Sequence, residues 1–359
     1  MTQIDKINAF VKLGGFLQQF SDIKTVPNPK IPLNERYFEA FQSLIQISKH
    51  HNGWFIPSEV YFSLQQWAQA LTETNLCEWL KPYHFNASEP KTVALILAGN
   101  IPLVGFHDFL CVLISGNKAL VKLSSNDQKL LPFLAKYLIE IAPDFAQYIT
   151  FTEEKLPEFD AVIATGSNNT ARYFDFYFKN YPSIIRKNRN SVAILNGKET
   201  KEDLMQLGED IFRYFGLGCR NVSKIYVPKN YDFTLFFESI FGFGDIIHEQ
   251  KYANNYDYNK TVYLMSNFKL LDNEFLILKE ETSFSSPIAT LFYEYYNDLN
   301  VLSEQLKSKE DQIQCIVSDN LIENSISFGD TQKPQLWDYA DGIDTMIFLT
   351  QTVHEFVKS

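Results

Sequence analysis

Cys219 is the residue whose type and setting point most directly to chemistry. It follows two glycines in Gly216-Leu-Gly-Cys219-Arg220, between a predicted helix and a predicted strand. A thiol displayed on such a turn becomes a nucleophile when backbone N–H groups or a cation such as Arg220 stabilise its thiolate. The same residues also fit an inert, buried cysteine after a glycine helix stop. The other three cysteines lie in apolar runs that favour the inert interpretation: Cys77, Cys111 and Cys315.

Polar, turn-forming residues follow three predicted strands. Asn100 comes directly after the first strand, Lys122 and Ser125 end the second, and Gly166 and Ser167 end the third and open a helix. The carboxyl ends of parallel strands form the ligand-binding edge of open α/β sheets, and a helix N-terminus favours an anion such as pyrophosphate. Each segment alone is also an ordinary turn or helix cap. Three in succession predict a nucleotide site.

Several common motifs are missing from the sequence. It has no G-x-G-x-x-G or G-x-x-x-x-G-K-[ST] run, which argues against the common dinucleotide-binding fold and against P-loop NTPases. The absence of G-x-S-x-G argues against an ordinary serine hydrolase. The four cysteines form no C-x-x-C pair, so neither a zinc knuckle nor a disulfide framework is indicated, and no metal is expected.

The pattern of apolar residues predicts an α/β protein of two doubly wound domains, as 359 residues suggest at roughly 150 residues per domain. Helical spacing dominates up to about residue 85, and short apolar runs alternate with amphipathic segments thereafter. We expect a helical layer plus a cofactor-binding domain in 1–190 and a catalytic domain carrying Cys219 in 191–335. We expect 336–359 to pack back as a strand, formed by the apolar run 345–349, and a short helix.

Composition and charge exclude some classes of partner. The formal net charge of −11 disfavours a nucleic-acid binder, which needs a basic face. The most apolar stretch, 93–121, is interrupted by polar residues, so no membrane span is expected. The first residues lack the basic and apolar regions of a signal peptide, and the cysteines suit a reducing compartment, so we expect a cytoplasmic protein.

Taken in order, these segments resemble the motifs of the aldehyde dehydrogenase superfamily and, within it, of the LuxC-like acyl-CoA reductases, which make fatty aldehydes from acyl thioesters. The similarity runs from about residue 91 to 349. Its segments are Ala98-Gly-Asn-Ile-Pro102, Ser115-Gly-Asn-Lys-Ala-Leu-Val-Lys122, Thr165-Gly-Ser167, Phe215-Gly-Leu-Gly-Cys219 and Glu281-Thr-Ser-Phe-Ser-Ser-Pro287. The segment 328–345 is similar to LuxC in particular.

The resemblance implies an aldehyde-dehydrogenase-like fold and roles for individual residues. Cys219 would attack a thioester carbonyl, with Asn100 and the Cys219 N–H stabilising the oxyanion. Lys122 would hold the adenosine ribose and Ser167, with Gly166 beside it, the pyrophosphate. Glu281 would bind the nicotinamide ribose, although Glu280 is an alternative equivalent.

Two departures from the family pattern are informative. The family's oxidising members carry a general-base Glu, which activates water, whereas the corresponding stretch 186–190 has no carboxylate. This loss favours reduction of a thioester over oxidation of an aldehyde. Three residues after Lys122, Ser125 replaces the Glu that NAD-preferring relatives place on the ribose 2′-hydroxyl. A neutral Ser leaves room for a 2′-phosphate, so we expect NADPH, with NADH as the other candidate.

The sequence therefore predicts reduction of an acyl-CoA, or of an acyl group on a carrier protein, to the aldehyde through Cys219. An aldehyde dehydrogenase working in the oxidising direction and a catalytically silent nucleotide-binding subunit remain the alternatives. Superfamily members are commonly dimers or tetramers, which leaves a homo-oligomer open. The aromatic run 173–178 fits either an acyl tunnel or core packing, and core packing is favoured because aromatic residues dominate ordinary cores.

Overall fold

The computed structural model describes residues 1–21, 24–85 and 89–355, and the chain divides into two compact units. One unit consists of Met1–Lys187 and Gln335–Ser359, and the other of Asn188–Pro334. No helix in the described part of the chain combines the length and the apolarity that crossing a membrane requires.

The first unit begins with four helices, which confirms the predicted helical layer. α1 starts at a capping box formed by Thr2 and Asp5, and α3 has Pro57 at its first position, where a missing N–H costs nothing. Aromatic side chains of this layer, such as Phe16 and Phe41, are fully buried. The four helices are α1 (Gln3–Leu17), α2 (Asn34–His51), α3 (Pro57–Ala70) and α4 (Glu73–Leu80).

A five-stranded parallel sheet follows, with strand order β3-β2-β1-β4-β5. Its central strands are continuous apolar runs, as expected of a sheet covered on both faces. The order reverses direction between β1 and β4, where ligands bind in open α/β sheets. The elements are β1 (Thr92–Ile96), α5 (Phe106–Ile114), β2 (Lys118–Lys122), α6 (Leu130–Ile141), β3 (Ile149–Phe151), β4 (Ala161–Thr165), α7 (Asn168–Tyr177) and β5 (Ser183–Arg186).

The second unit contains a six-stranded sheet of order β11-β6-β7-β10-β9-β8, parallel except for the pairing of β8 with β9. Apolar clusters lie on both of its faces. The mixed α/β class predicted for the chain is therefore confirmed. The elements are β6 (Asn190–Ile194), α8 (Lys201–Phe212), β7 (Val222–Pro228), α9 (Thr234–Ile240), α10 (Gln250–Met265), β8 (Leu270–Asp272), β9 (Ile277–Glu280), β10 (Thr290–Tyr296), α11 (Leu299–Lys307) and β11 (Ile313–Val317).

The predicted C-terminal strand is wrong, because the run 345–349 is helical. It forms α12 (Thr345–Ile347), continues through a π-helical turn (Phe348–Thr352) and ends in α13 (Val353–Glu355). Asp344 caps α12 by accepting a hydrogen bond from the Ile347 N–H at 2.9 Å. Met346, Leu349 and Val353 are buried at helical spacing. A short apolar run is compatible with either element, and here the cap and the spacing decide for helix. Residues 356–359 lie outside the described part.

The aromatic run 173–178 packs as a core only in part. Tyr173, Phe176 and Tyr177 of α7 are each about two-thirds exposed. Phe174 and Phe178 pack against a small apolar cluster on the sheet. The core interpretation therefore fails for the three exposed rings, because their side of α7 is not covered within its unit.

Candidate active site

Cys219 lies exposed on a turn between α8 and β7. After α8 the chain passes through Tyr214, Phe215 and Gly216, all with positive φ (53°, 57° and 74°). Only glycine adopts that region without strain, so two consecutive aromatic residues there mark a backbone that its surroundings hold in place. The turn itself closes with the Asn221 N–H donating to the Gly218 carbonyl at 3.0 Å. The structure thus displays the thiol where the sequence predicts it.

Asn221 fixes this turn to the end of α8. Its buried side-chain amide donates to the carbonyls of Asp210 (3.0 Å) and Arg213 (2.8 Å), and its oxygen accepts from the Gly218 N–H at 2.8 Å. The last carbonyls of a helix lack partners within the helix, and Asn221 satisfies two of them. The sequence reasoning missed this residue, although an Asn directly after a Gly-rich turn is a recognisable turn signal.

Arg220, a candidate cation for the thiolate, is held by a backbone contact. Its Nε donates to the Thr331 carbonyl at 2.5 Å. On the other side of the turn, the Cys219 carbonyl accepts a hydrogen bond from the Ser191 hydroxyl at 2.9 Å. Both contacts fix the backbone around Cys219.

The predicted cofactor residues of the first unit lie along one edge of its sheet. Ile96 on β1 is in register with Lys122 on β2 and with Ala164 on β4, so the turns that follow these three strands are neighbours. Asn100 is half-buried in the turn after β1, and Ser125 is exposed in the turn after β2. The sequence could place each of these residues only at the end of its own strand. The structure shows that the three strand ends are neighbours.

Two local interactions shape this edge. Lys122 donates through Nζ to the Glu154 carbonyl at 2.8 Å. Ser167, which follows Gly166, is the N-cap of α7 and accepts a hydrogen bond from the Thr170 N–H at 3.2 Å. The first amides of α7 therefore emerge at the carboxyl edge of the sheet, as an anion site at a helix N-terminus requires.

Close packing joins the turn after β1 to the turn after β2. A Cβ on Gly99 would lie 2.8 Å from both the Cβ and the Oγ of Ser124, so this position takes glycine. The Leu103 N–H points to the Asp127 carboxylate at 3.4 Å, and the Asn52 amide donates to the carbonyls of Gly99 and Asn126 at 3.3 Å. These contacts set the backbone on either side of Asn100. Sequence reasoning did not identify Asn52 or Asp127, since both lie far from Asn100 along the chain.

Glu281 belongs to the second unit, where it directly follows β9. Its carboxylate accepts from Lys279 Nζ at 2.6 Å and from the Thr282 N–H at 2.9 Å. The hydrogen bond from Lys279 is the main cause that lowers the pKa of Glu281 to about 2, so the side chain is ionised at neutral pH. Glu280 and Glu281 both line a cleft of about 560 Å³, so either remains a candidate for the role that the resemblance implies.

Comparison with known proteins shows what this chain is similar to. The family model "Acyl-CoA reductase (LuxC)" matches residues 70–235, a range that contains Asn100, Lys122, Ser167 and Cys219. The structure is similar to an aldehyde dehydrogenase from Bacillus cereus, with a TM-score of 0.60, 12% identity and 89% of this chain covering 72% of that one. Residues 70–235 are therefore similar to the LuxC acyl-CoA reductases, and the chain has the fold of the aldehyde dehydrogenases.

Two further solved structures show the same fold. An indole-3-acetaldehyde dehydrogenase complexed with NAD+ has a TM-score of 0.59 and 11% identity, and an aldehyde dehydrogenase from Pseudomonas aeruginosa, KauB, has 0.58 and 13%. In both cases 88% of this chain covers 72% of the other. The search of curated proteins finds no match. At identities this low, the similarity to solved structures shows the fold alone.

Two buried basic residues of the second unit were not identified from the sequence. Lys224 on β7 is fully buried, and its Nζ donates to Glu294 Oε2 (2.5 Å) and to the Thr282 carbonyl (2.8 Å). Burial is the main cause that lowers the pKa of Lys224. Lys224 and Lys279 are both paired in register with Phe292 of β10, on opposite sides of that strand. A lysine is usually solvent-exposed, so its type alone did not suggest burial at either position.

Arg186 opens the stretch in which no carboxylate was found. It ends β5, is largely buried, and donates through Nη2 to Asp108 Oδ1 (2.6 Å) and to Thr345 Oγ1 (3.1 Å). This stretch therefore begins with a cation that is paired with a carboxylate of its own unit.

Proposed function

We propose that the chain reduces an acyl-CoA thioester, with a fatty acyl group, to the aldehyde with NADPH. The LuxC match and the aldehyde dehydrogenase fold support an oxidoreductase that acts on aldehydes. The observation that carries the finer proposal is the exposed Cys219 on a turn fixed by Asn221, Ser191 and Arg220. A nucleophile needs exactly that combination of access and fixed backbone.

In the proposed reaction the Cys219 thiolate attacks the thioester carbonyl carbon. The bond from that carbon to the CoA sulfur then breaks, CoA leaves as its thiol with a proton from solvent, and the acyl group is held as a thioester on Cys219. Bound NADPH would supply a hydride to the acyl carbon. Cleavage of the carbon–Cys219 bond then releases the aldehyde and restores the thiolate. Asn100 is proposed as a side-chain donor to the oxyanion.

The residues at the sheet edge of the first unit fit a nicotinamide dinucleotide. Ser167 caps α7 so that the first amides of the helix face the edge, which suits a pyrophosphate. Lys122 ends β2, two strands along the sheet from β4, and the exposed, neutral Ser125 leaves the position near a 2′-phosphate without negative charge. These features support NADPH at this edge. Glu281 of the second unit is ionised, and we propose it on the resemblance alone as an acceptor for ribose hydroxyls.

The region around Arg186 supports reduction over oxidation. Oxidation requires a base that activates water against the acyl-enzyme. Residues 186–190 carry no carboxylate, and the guanidinium of Arg186 is bound to Asp108 and Thr345. An acyl-enzyme without such a base is protected from hydrolysis long enough to be reduced.

NADPH consumption with a long-chain acyl-CoA tests the proposal, using wild type, Cys219→Ala and Cys77→Ala. Cys77 is an exposed cysteine away from the turn and serves as the matched control. We expect Cys219→Ala to lose about a thousandfold or more in turnover, as removal of a nucleophile does, and Cys77→Ala to keep wild-type turnover. Acid formation from an aldehyde without CoA would support the oxidising alternative, and no turnover in either direction would support a silent subunit.

A further inference from the structure

Asp210 is a fully buried carboxylate on α8 that receives three hydrogen bonds from a distant segment of the chain. Its Oδ2 accepts from the Gly329 N–H at 2.7 Å, and its Oδ1 accepts from the N–H and the hydroxyl of Thr331 at 3.0 and 2.8 Å. A buried charge requires such donors, and hydrogen bonds to an ionised acceptor are the stronger ones. Asp210 therefore holds residues 329–331 against α8.

The backbone of that segment is fitted closely to the helix. Gly329 has φ of +83°, and a Cβ there would lie 2.4 Å from Oε1 of Gln206 on the same helix. The positive φ favours glycine, and a larger residue would also displace the Gln206 side chain. The segment is thus held on α8 by its hydrogen bonds to Asp210 and by the backbone conformation at Gly329.

Thr331 connects this seating to the nucleophile. Its carbonyl accepts the hydrogen bond from Nε of Arg220, the residue directly after Cys219. From the other side, Asn221 donates to the backbone carbonyl of Asp210. Asp210 is therefore linked to the Cys219 turn by two routes, one through its carboxylate, Thr331 and Arg220, and one through its carbonyl and Asn221.

We infer that Asp210 and Thr331 are positioning residues that act through Arg220 to set the orientation and reactivity of Cys219. The inference rests on the proposed function, in which Cys219 is the nucleophile. Neither residue touches the thiol in this account. They hold Arg220 to the 329–331 segment, and this fixes the backbone N–H groups around Cys219 on which thiolate stability depends.

Thr331→Val and Thr331→Ser test the inference without altering the backbone contacts of residue 331. The valine removes the hydroxyl that donates a hydrogen bond to Asp210, and the serine keeps it. Ser239→Ala is the matched control, because Ser239 is another buried hydroxyl of the same unit, bonded to a carbonyl one helical turn earlier. Two readouts are made: hydrogen exchange of the amides 217–221, and the rate of Cys219 alkylation by iodoacetamide as a function of pH.

For Thr331→Val we expect amide exchange at 217–221 to rise by about tenfold, the equivalent of one hydrogen bond to a charged group, and the pH midpoint of Cys219 alkylation to shift upward. Thr331→Ser should restore both values, and the KM for NADPH should not change. If Thr331→Val and Ser239→Ala have the same amide exchange at 217–221 and the same pH dependence of Cys219 alkylation, the inference is overturned. The loss of any buried hydroxyl in this unit would then account for the changes.

The two proposals fail in distinguishable ways. If Cys219 takes up acyl groups but the exchange of 217–221 does not respond to Thr331→Val, the positioning role is wrong and the proposed function stands. If exchange and alkylation respond but wild type reduces no acyl-CoA, the positioning of Cys219 is supported and the proposed reaction is wrong.

Discussion

Arg186 donates a hydrogen bond to Asp108 over 2.6 Å, and less than a tenth of either side chain is exposed. The pair joins the end of β5 to the first turn of α5, and Thr345 of α12 accepts a second hydrogen bond from the same guanidinium. Three segments far apart in the sequence thus meet at one buried charge. Arg186 begins the stretch 186–190, and its buried pair with Asp108 gives it a structural role.

Arg186→Met should destabilise the chain strongly, because it leaves Asp108 buried without its partner. Breaking a buried pair costs about 3–5 kcal/mol, measurable as the free energy of unfolding in urea. Lys187→Met is the control, since Lys187 forms an exposed pair with Asp175 at 3.3 Å, a class worth about 1 kcal/mol or less. Equal losses in the two variants would show that the Arg186 pair contributes no more than a surface contact.

Gly99→Ala should disturb the edge at which the cofactor is proposed to bind. The new Cβ would meet Ser124 at 2.8 Å, so the turns after β1 and β2 must move apart. We expect a loss of about 1–3 kcal/mol in unfolding free energy, as for overpacking, together with a higher KM for NADPH. Ser124→Gly in the same chain should recover part of both effects. Gly242→Ala, where nothing lies within 4 Å, is the control, and an equal effect there would refute the packing explanation.

Asp127→Asn should change how stability depends on pH. Burial raises the pKa of Asp127 from 3.8 to about 6. Between pH 4 and 6 the folded chain therefore holds a proton that the unfolded chain releases, so this group's contribution to stability falls as the pH rises through that window. Asparagine cannot bind that proton, and the difference in unfolding free energy between pH 4 and pH 7 should shift by about 2 kcal/mol. The exposed Asp144→Asn is the control, and identical pH profiles for the two variants would contradict the prediction.

Ser125→Glu should shift the cofactor preference from NADPH towards NADH. A carboxylate at this exposed position would repel a 2′-phosphate and accept hydrogen bonds from a ribose hydroxyl. Since like charges placed together cost several kcal/mol when desolvated, we expect the ratio of kcat/KM for the two cofactors to change by about tenfold or more. Asn126→Glu places the same charge one residue further on as a control. Wild-type turnover that is equal with NADH and NADPH would remove the basis for this prediction.

The sequence could predict what depends on local pattern. The helical layer, the α/β class and the turns that carry Asn100, Ser167 and Cys219 follow from apolar periodicity and from turn and cap residues, which act within a few positions. The family resemblance was found from the same segments in order. The roles of these residues remain predictions.

The remainder depends on contacts between distant segments. Thr345 lies in an apolar run whose sequence predicts a strand. The run is helical because Asp344 caps it and because Met346 and Leu349, three residues apart, are both buried. Lys224 is buried and donates a hydrogen bond to the carboxylate of Glu294, which lies 70 residues later in the chain. Asp210 meets Thr331 over 121 residues of chain. The local sequence around one residue of such a pair does not indicate which distant residue is its partner.

Intact-mass spectrometry of the protein mixed with a long-chain acyl-CoA, followed by addition of NADPH, tests the central claim most directly. The account predicts an acyl adduct in wild type and in Cys77→Ala, none in Cys219→Ala, and its discharge as the aldehyde when NADPH is added. An adduct that persists in Cys219→Ala, or one that NADPH discharges as the acid, would contradict it.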